Sequence, residues 1–159
     1  MSEAVFKILF VCMGNICRSP AAEAIFSKKL AQRDILHKFK IDSAGTHNFH
    51  PGAPPDERTQ AYALKRGYDL SNLRARPVVD RDFEEFDLLL TMDWDNRALL
   101  EESCPPLHLN KIRGLAEFLQ TTQASVIPDP YYGGDQGFEH VFDLIEEASE
   151  GLMKLSRHA

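Results

Sequence analysis

Ten residues from Val11 to Pro20, Val-Cys-Met-Gly-Asn-Ile-Cys-Arg-Ser-Pro, put a thiol, a guanidinium, a hydroxyl and a glycine into one short segment. The run follows Val5-Phe6-Lys7-Ile8-Leu9-Phe10-Val11, which is β-branched and aromatic enough to read as a buried strand. Ala-Ala-Glu-Ala-Ile-Phe-Ser-Lys-Lys-Leu comes next and reads as a helix, with Ser19 expected as its N-cap and Pro20 as its first residue. The segment therefore joins the end of a strand to the start of a helix. Unpaired N–H groups and the helix dipole attract anions at such a place, and they push a thiol toward its thiolate. Arg18 adds a planar, permanently charged fork that fits two oxygens of a phosphate. Gly14 is expected to let the loop of Met13, Gly14, Asn15, Ile16, Cys17, Arg18 and Ser19 curl with its N–H groups inward. The chemistry this implies is attack by Cys12 on a tetrahedral phosphate held by the loop and Arg18.

Other readings of these residues fit less well. Most free cysteines are small buried hydrophobes, but such a role does not call for Gly, Asn, Arg and Ser at a helix start. A zinc site would draw on Cys104 and six scattered histidines, none with metal-like spacing. Neither G-x-x-x-x-G-K-[ST] nor G-x-G-x-x-G occurs, so a nucleotide loop is not indicated. No cofactor or metal is expected. Ser19 can donate its hydroxyl to the Cys12 sulfur as well as cap the helix. Asn15 is expected to take a left-handed backbone and tie the loop to Ser43.

The Val11–Pro20 run resembles the phosphate-binding loop of the low-molecular-weight protein tyrosine phosphatases. Further motifs of that family appear in order: Asp42-Ser43-Ala44-Gly45-Thr46, Phe49-His50-Pro51-Gly52-Ala53-Pro54, Arg74-Ala75-Arg76, Thr91-Met92-Asp93 and Asp129-Pro130-Tyr131-Tyr132. Asp before Pro is also a common turn, and composition does not choose among 24 carboxylates. The resemblance implies that Asp129 is the general acid, and that Phe49, Tyr131 and Tyr132 wall a slot for a phosphotyrosine ring. It implies protein phosphotyrosine as substrate and a cysteinyl-phosphate intermediate. Cys17 is expected as a redox partner of Cys12. Two positions depart from the family pattern. Phe49 stands where Trp or Tyr is common, and Leu73 where members commonly carry a His that helps hold the loop Asn. A less rigidly held loop is expected from Leu73.

Three alternatives stay open. An arsenate reductase would need thiols placed to resolve an arsenylated Cys, an arrangement that Cys17 and Cys104 do not suggest. A protein-arginine phosphatase would favour Thr near Met13 and Ile16, whose bulk favours an aryl substrate. A non-catalytic phosphotyrosine-binding module would have no use for a nucleophile and a distant acid together.

These groups need a scaffold. With 159 residues, 43% hydrophobic and 26% charged, the chain is expected to form a single domain over 1–159. A net charge of −6 argues against nucleic acid and anionic membrane surfaces as partners. No apolar run is long enough for a membrane span, and no secretion signal is recognised. Three cysteines form no disulfide framework, and a cytoplasmic location is expected. Oligomeric state is left open. Expected helices run from Ala21 to Ala31, from Asp56 toward Gly67, from Asp93 to Leu100 and from Gly137 to Leu155, and expected strands cover Phe39–Ser43, Phe86–Met92 and Leu107–Leu109. Their alternation predicts an α/β fold: an open, parallel, four-stranded sheet with helices on both faces, wound as in flavodoxin. The resemblance implies the phosphotyrosine phosphatase I-like version of it.

Overall fold

A computed structural model describes residues 4–130 and 134–156. Four parallel strands, β1 (Phe6–Cys12), β2 (Phe39–Gly45), β3 (Leu88–Thr91) and β4 (Ile112–Gly114), lie in the order β2-β1-β3-β4. Among the described residues, the α-helices α1 (Arg18–Gln32), α2 (Glu57–Lys65), α3 (Asp80–Glu85) and α4 (Trp94–Ser103) lie between the strands, and α5 (Gly134–Ser156) follows the last. This is the expected doubly wound arrangement.

β1 shows why both faces must be covered. Its side chains alternate between two buried clusters. Ile8, Phe10 and Cys12 join Ile25, Phe26 and Leu30 of α1 and Phe138, Phe142 and Ile145 of α5. Leu9 and Val11 join Phe83 of α3 and Leu100 of α4 on the other face. Phe10 meets Phe26 edge-on, with ring centroids 6.0 Å apart. Truncating Phe26 to Ala would cost about 3–5 kcal/mol. Cys12 closes the strand on the α1 face, opposite Gly45 in the register.

The helix α3 was not expected, most other ends shift by a few residues, and three differences have a clear physical reason. Leu107-His108-Leu109 is not the fourth strand but part of a 3₁₀ turn, Pro106–Lys111. Pro105 and Pro106 start that turn, and Leu107 stays 82% exposed, unlike a core strand residue. The fourth strand follows it, where buried Ile112 pairs with Leu89. The third strand is shorter than Phe86–Met92, because the Phe86 N–H still bonds back to Asp82 at the end of α3. α1 starts at Arg18, so the helix N-cap is Cys17 rather than Ser19, and Pro20 lies inside the first turn.

Candidate active site

Residues 13–17 connect β1 to α1 at the carboxyl edge of the sheet, where strand order switches between β1 and its neighbours. The carbonyls of Cys12, Met13 and Ile16 are held by other segments, and that of Cys17 by the first turn of α1. Thr46 N–H donates to Cys12 O (2.8 Å), His47 N–H to Met13 O (2.9 Å), Asp56 N–H to Ile16 O (2.8 Å) and Ala21 N–H to Cys17 O (3.2 Å). The amide N–H groups of residues 13–17 have no acceptor among the described residues. A loop held by its carbonyls, with its donors left over, is a cradle for an anion. Gly45 is required beside it, because a Cβ there would lie 2.8 Å from Met13 O. The left-handed residue of the loop is Asn15 (φ 58), not Gly14, whose hydrogen instead leaves room for the His50 ring.

Asn15 is buried, and both the nitrogen and the oxygen of its amide have partners. Nδ2 donates to Ser19 Oγ (2.8 Å) and Ser43 Oγ (3.0 Å), and Oδ1 accepts from the Arg76 N–H (3.0 Å). The Ser43 contact was expected from the sequence; the Arg76 contact was not. With Leu73 offering no hydrogen bond, the Arg76 N–H is the donor that reaches the Asn15 oxygen. Because Asn15 occupies a lone pair on each serine, both hydroxyl protons must go elsewhere. Ser19 Oγ lies 3.0 Å from Cys12 Sγ, to which it donates when the sulfur is a thiolate, and the Ser43 hydroxyl donates to Glu23 Oε1, 2.6 Å away. Ser19 is not the N-cap of α1, and its hydroxyl sits between Asn15 Nδ2 and the Cys12 sulfur.

Arg18, 3% exposed, is aimed by two acceptors on Nη1: Asp93 Oδ2 at 2.7 Å and the Ile127 carbonyl at 2.9 Å. Asp93 Oδ1 meanwhile accepts from the Asn96 N–H (2.9 Å) and so caps α4. Asp93 was quoted from the sequence only as part of a motif. Its position between a strand and a helix marks a cap, but its grip on Arg18 is a long-range contact without a local signal.

Asp129 is half-buried on the segment that Ile127 anchors to the end of β3, through the Ile127 N–H to Met92 O bond (2.7 Å). Burial pushes the Cys17 thiol up to about 12, against a hydrogen bond to Thr59, and the charges of Asp56, Cys12 and Asp129 push the same way. Cys17 is thus a neutral thiol within the field of the Asp129 carboxylate. Phe49 is 60% exposed and stacks on His47 (4.7 Å between centroids), whose Nδ1 lies 3.0 Å from Thr46 Oγ1. His47 and His50, not singled out from the sequence, border the loop with it. Tyr131 and Tyr132, expected as pocket walls, fall outside the described residues. Among the described residues no three of His, Cys, Asp and Glu gather as a metal-binding group, and no helix is long and apolar enough to cross a membrane.

Residues 7–158 match the family model described as low molecular weight phosphotyrosine protein phosphatase. A human protein named low molecular weight phosphotyrosine protein phosphatase is 38% identical over 141 residues, 88% of this chain and 89% of that one. A crystal structure of a protein tyrosine phosphatase from Entamoeba histolytica, with Hepes in the active site, superposes with a TM-score of 0.92. It is 43% identical and covers 96% of this chain and 98% of its own. The structure of YfkJ from Bacillus subtilis also reaches a TM-score of 0.92, with 35% identity over 99% of this chain and 98% of that one.

Proposed function

Because the chain belongs to the low molecular weight phosphotyrosine protein phosphatase family, we propose that it hydrolyses phosphotyrosine in proteins, and small aryl phosphates, with Cys12 as nucleophile. The observation that carries this is the set of unpaired N–H groups of residues 13–17 around a sulfur 3.0 Å from the Ser19 hydroxyl. The Hepes in the active site of the Entamoeba relative is a sulfonate, a tetrahedral oxyanion like the phosphate proposed here.

In the first step the Cys12 thiolate attacks phosphorus while the bond to the tyrosine oxygen breaks, and Asp129 gives its proton to that oxygen. The loop N–H groups and the face of Arg18 turned away from Asp93 hold the equatorial oxygens as charge shifts onto them. In the second step Asp129 takes a proton from the attacking water. Phosphate departs and the sulfur leaves as thiolate, eased by the Ser19 hydroxyl at 3.0 Å. Phe49, exposed beside the loop, offers a face for the substrate ring. A thiol working in this way suits a reducing cytoplasm, where we place the protein.

Hydrolysis of p-nitrophenyl phosphate with a chelator present tests the reading. Cys12→Ser should lose activity by on the order of a thousandfold or more while still binding inorganic phosphate. Retention of a sizeable fraction of the rate would remove Cys12 from the chemistry.

A further inference from the structure

Glu23 is not required by the reaction as written, yet it ends a continuous hydrogen-bonded path to the nucleophile. The path runs from Glu23 Oε1 to Ser43 Oγ (2.6 Å), Asn15 Nδ2 (3.0 Å), Ser19 Oγ (2.8 Å) and Cys12 Sγ (3.0 Å). Its sense is fixed, because Asn15 donates to both serines and the Arg76 N–H prevents its amide from flipping. We propose that Glu23 is a positioning residue for Cys12: by accepting the Ser43 proton, its carboxylate holds the Ser43 oxygen toward Asn15, the amide that in turn holds Ser19 against the sulfur.

The 2.6 Å separation is that of an O–H donating to an anion. An ionised Glu23 leaves the Ser43 oxygen open to Asn15, which then stays in place to orient Ser19. A protonated Glu23 can donate to Ser43 Oγ instead, so the Ser43 proton must turn away and the charge-assisted bond that anchors Ser43 beside Asn15 is lost. Burial, reinforced by nearby Asp42 and opposed by the Ser43 bond and Arg76, raises the Glu23 carboxyl to about 7. Both forms are therefore populated at ordinary pH.

The charges facing Glu23 are Asp42 on β2 and Arg76, whose guanidinium is itself held between Asp42 and Asp82. Toward α5, Lys29 and Arg33 of α1 pair with Glu150 instead. Among the described residues no cation forms an ion pair with Glu23, and Leu73 supplies none.

The inference rests on Cys12 being the nucleophile, and Cys12→Ser serves as the control. In the native enzyme, kcat for p-nitrophenyl phosphate should show an ionisation near 7 whose deprotonated form is the faster. Glu23→Gln keeps the shape but cannot ionise. It should abolish that inflexion and lower kcat at pH 8 by about five- to tenfold, with the inhibition constant of inorganic phosphate changed less than about twofold. Ser43→Ala, which cuts the path without touching Glu23, should do the same, and the double variant should be no worse than either single one. An inflexion that survives in Glu23→Gln overturns the proposal. So does phosphate binding that weakens in step with kcat, or additive losses in the double variant. An active Cys12→Ser would instead sink the nucleophile reading beneath it.

Discussion

The Asp93 carboxylate holds both Arg18 and the start of α4, one oxygen on Nη1 at 2.7 Å and the other on the Asn96 N–H at 2.9 Å. β3 carries Asp93 to the carboxyl edge of the sheet beside β1, so the helix cap and the aim of the phosphate-binding guanidinium are set by one side chain. The two roles separate chemically: a cap needs an oxygen acceptor, whereas a buried guanidinium needs a negative charge.

Asp93→Asn keeps the acceptor and loses the charge. Its thermal midpoint should fall little, while kcat/KM for p-nitrophenyl phosphate should fall by on the order of tenfold as Arg18 loses its aim. Asp93→Ala should lose about 1 kcal/mol more through the missing cap. Unchanged kinetics in Asp93→Asn would show that the Ile127 carbonyl positions Arg18 unaided.

Asp129 is expected to matter in proportion to how badly the leaving group needs a proton. A nitrophenolate departs without help and a tyrosine phenolate does not, so Asp129→Ala should slow phosphotyrosine hydrolysis more than p-nitrophenyl phosphate hydrolysis. Equal losses on the two substrates would reduce Asp129 to a turn residue ahead of Pro130.

Local chemistry was legible and distant contacts were not. The Val11–Pro20 segment read as an anion loop because strand, loop and helix signals are contiguous there, and Asn15 and Ser43 paired as expected. Ser19 was half-read. Ser-Pro ahead of a helical pattern signals an N-cap, but Arg18 already begins the helix, which frees the hydroxyl for Cys12. Asp93 on Arg18 and the Arg76 N–H on Asn15 span 75 and 61 residues, and no periodicity reports such distances. The 3₁₀ turn at Pro106–Lys111 misled for a simpler reason: Leu-His-Leu alternates like a strand, and its exposure is decided by the two prolines before it.

Cys17 should protect the nucleophile from peroxide. Burial keeps it a neutral thiol, raised to about 12, so the first oxidation should fall on Cys12, whose thiolate gives a sulfenic acid and hydroxide. Cys17 can then displace water from that sulfur to close a disulfide, which dithiothreitol reopens. Peroxide-treated enzyme should recover with dithiothreitol and show a Cys12–Cys17 bridge by mass spectrometry. In Cys17→Ser recovery should largely fail, as Cys12 climbs to the sulfinic acid. Full recovery of that variant would deny Cys17 a protective role.

Acid sensitivity should trace to Glu147. From α5 its carboxylate gathers the N–H groups of Gln120 (2.9 Å), Thr121 (3.1 Å) and Thr122 (3.1 Å), along with the Thr122 hydroxyl at 2.7 Å and the Thr121 hydroxyl at 3.2 Å. These bonds, the Thr122 hydroxyl foremost, hold its carboxyl down to about 2. The segment so gathered leads to Ile127, whose carbonyl helps aim Arg18. A carboxyl with a depressed pKa stabilises the fold above the ordinary range near 4.5, and that contribution drains away as pH falls toward 2. Glu147→Gln should therefore melt below the native protein at neutral pH, with the gap narrowing as pH drops below about 4 and closing near 2. Thermal unfolding across that range reads the gap directly. A gap that stays constant down to the lowest pH would mean that Glu147 holds the segment by shape rather than by charge.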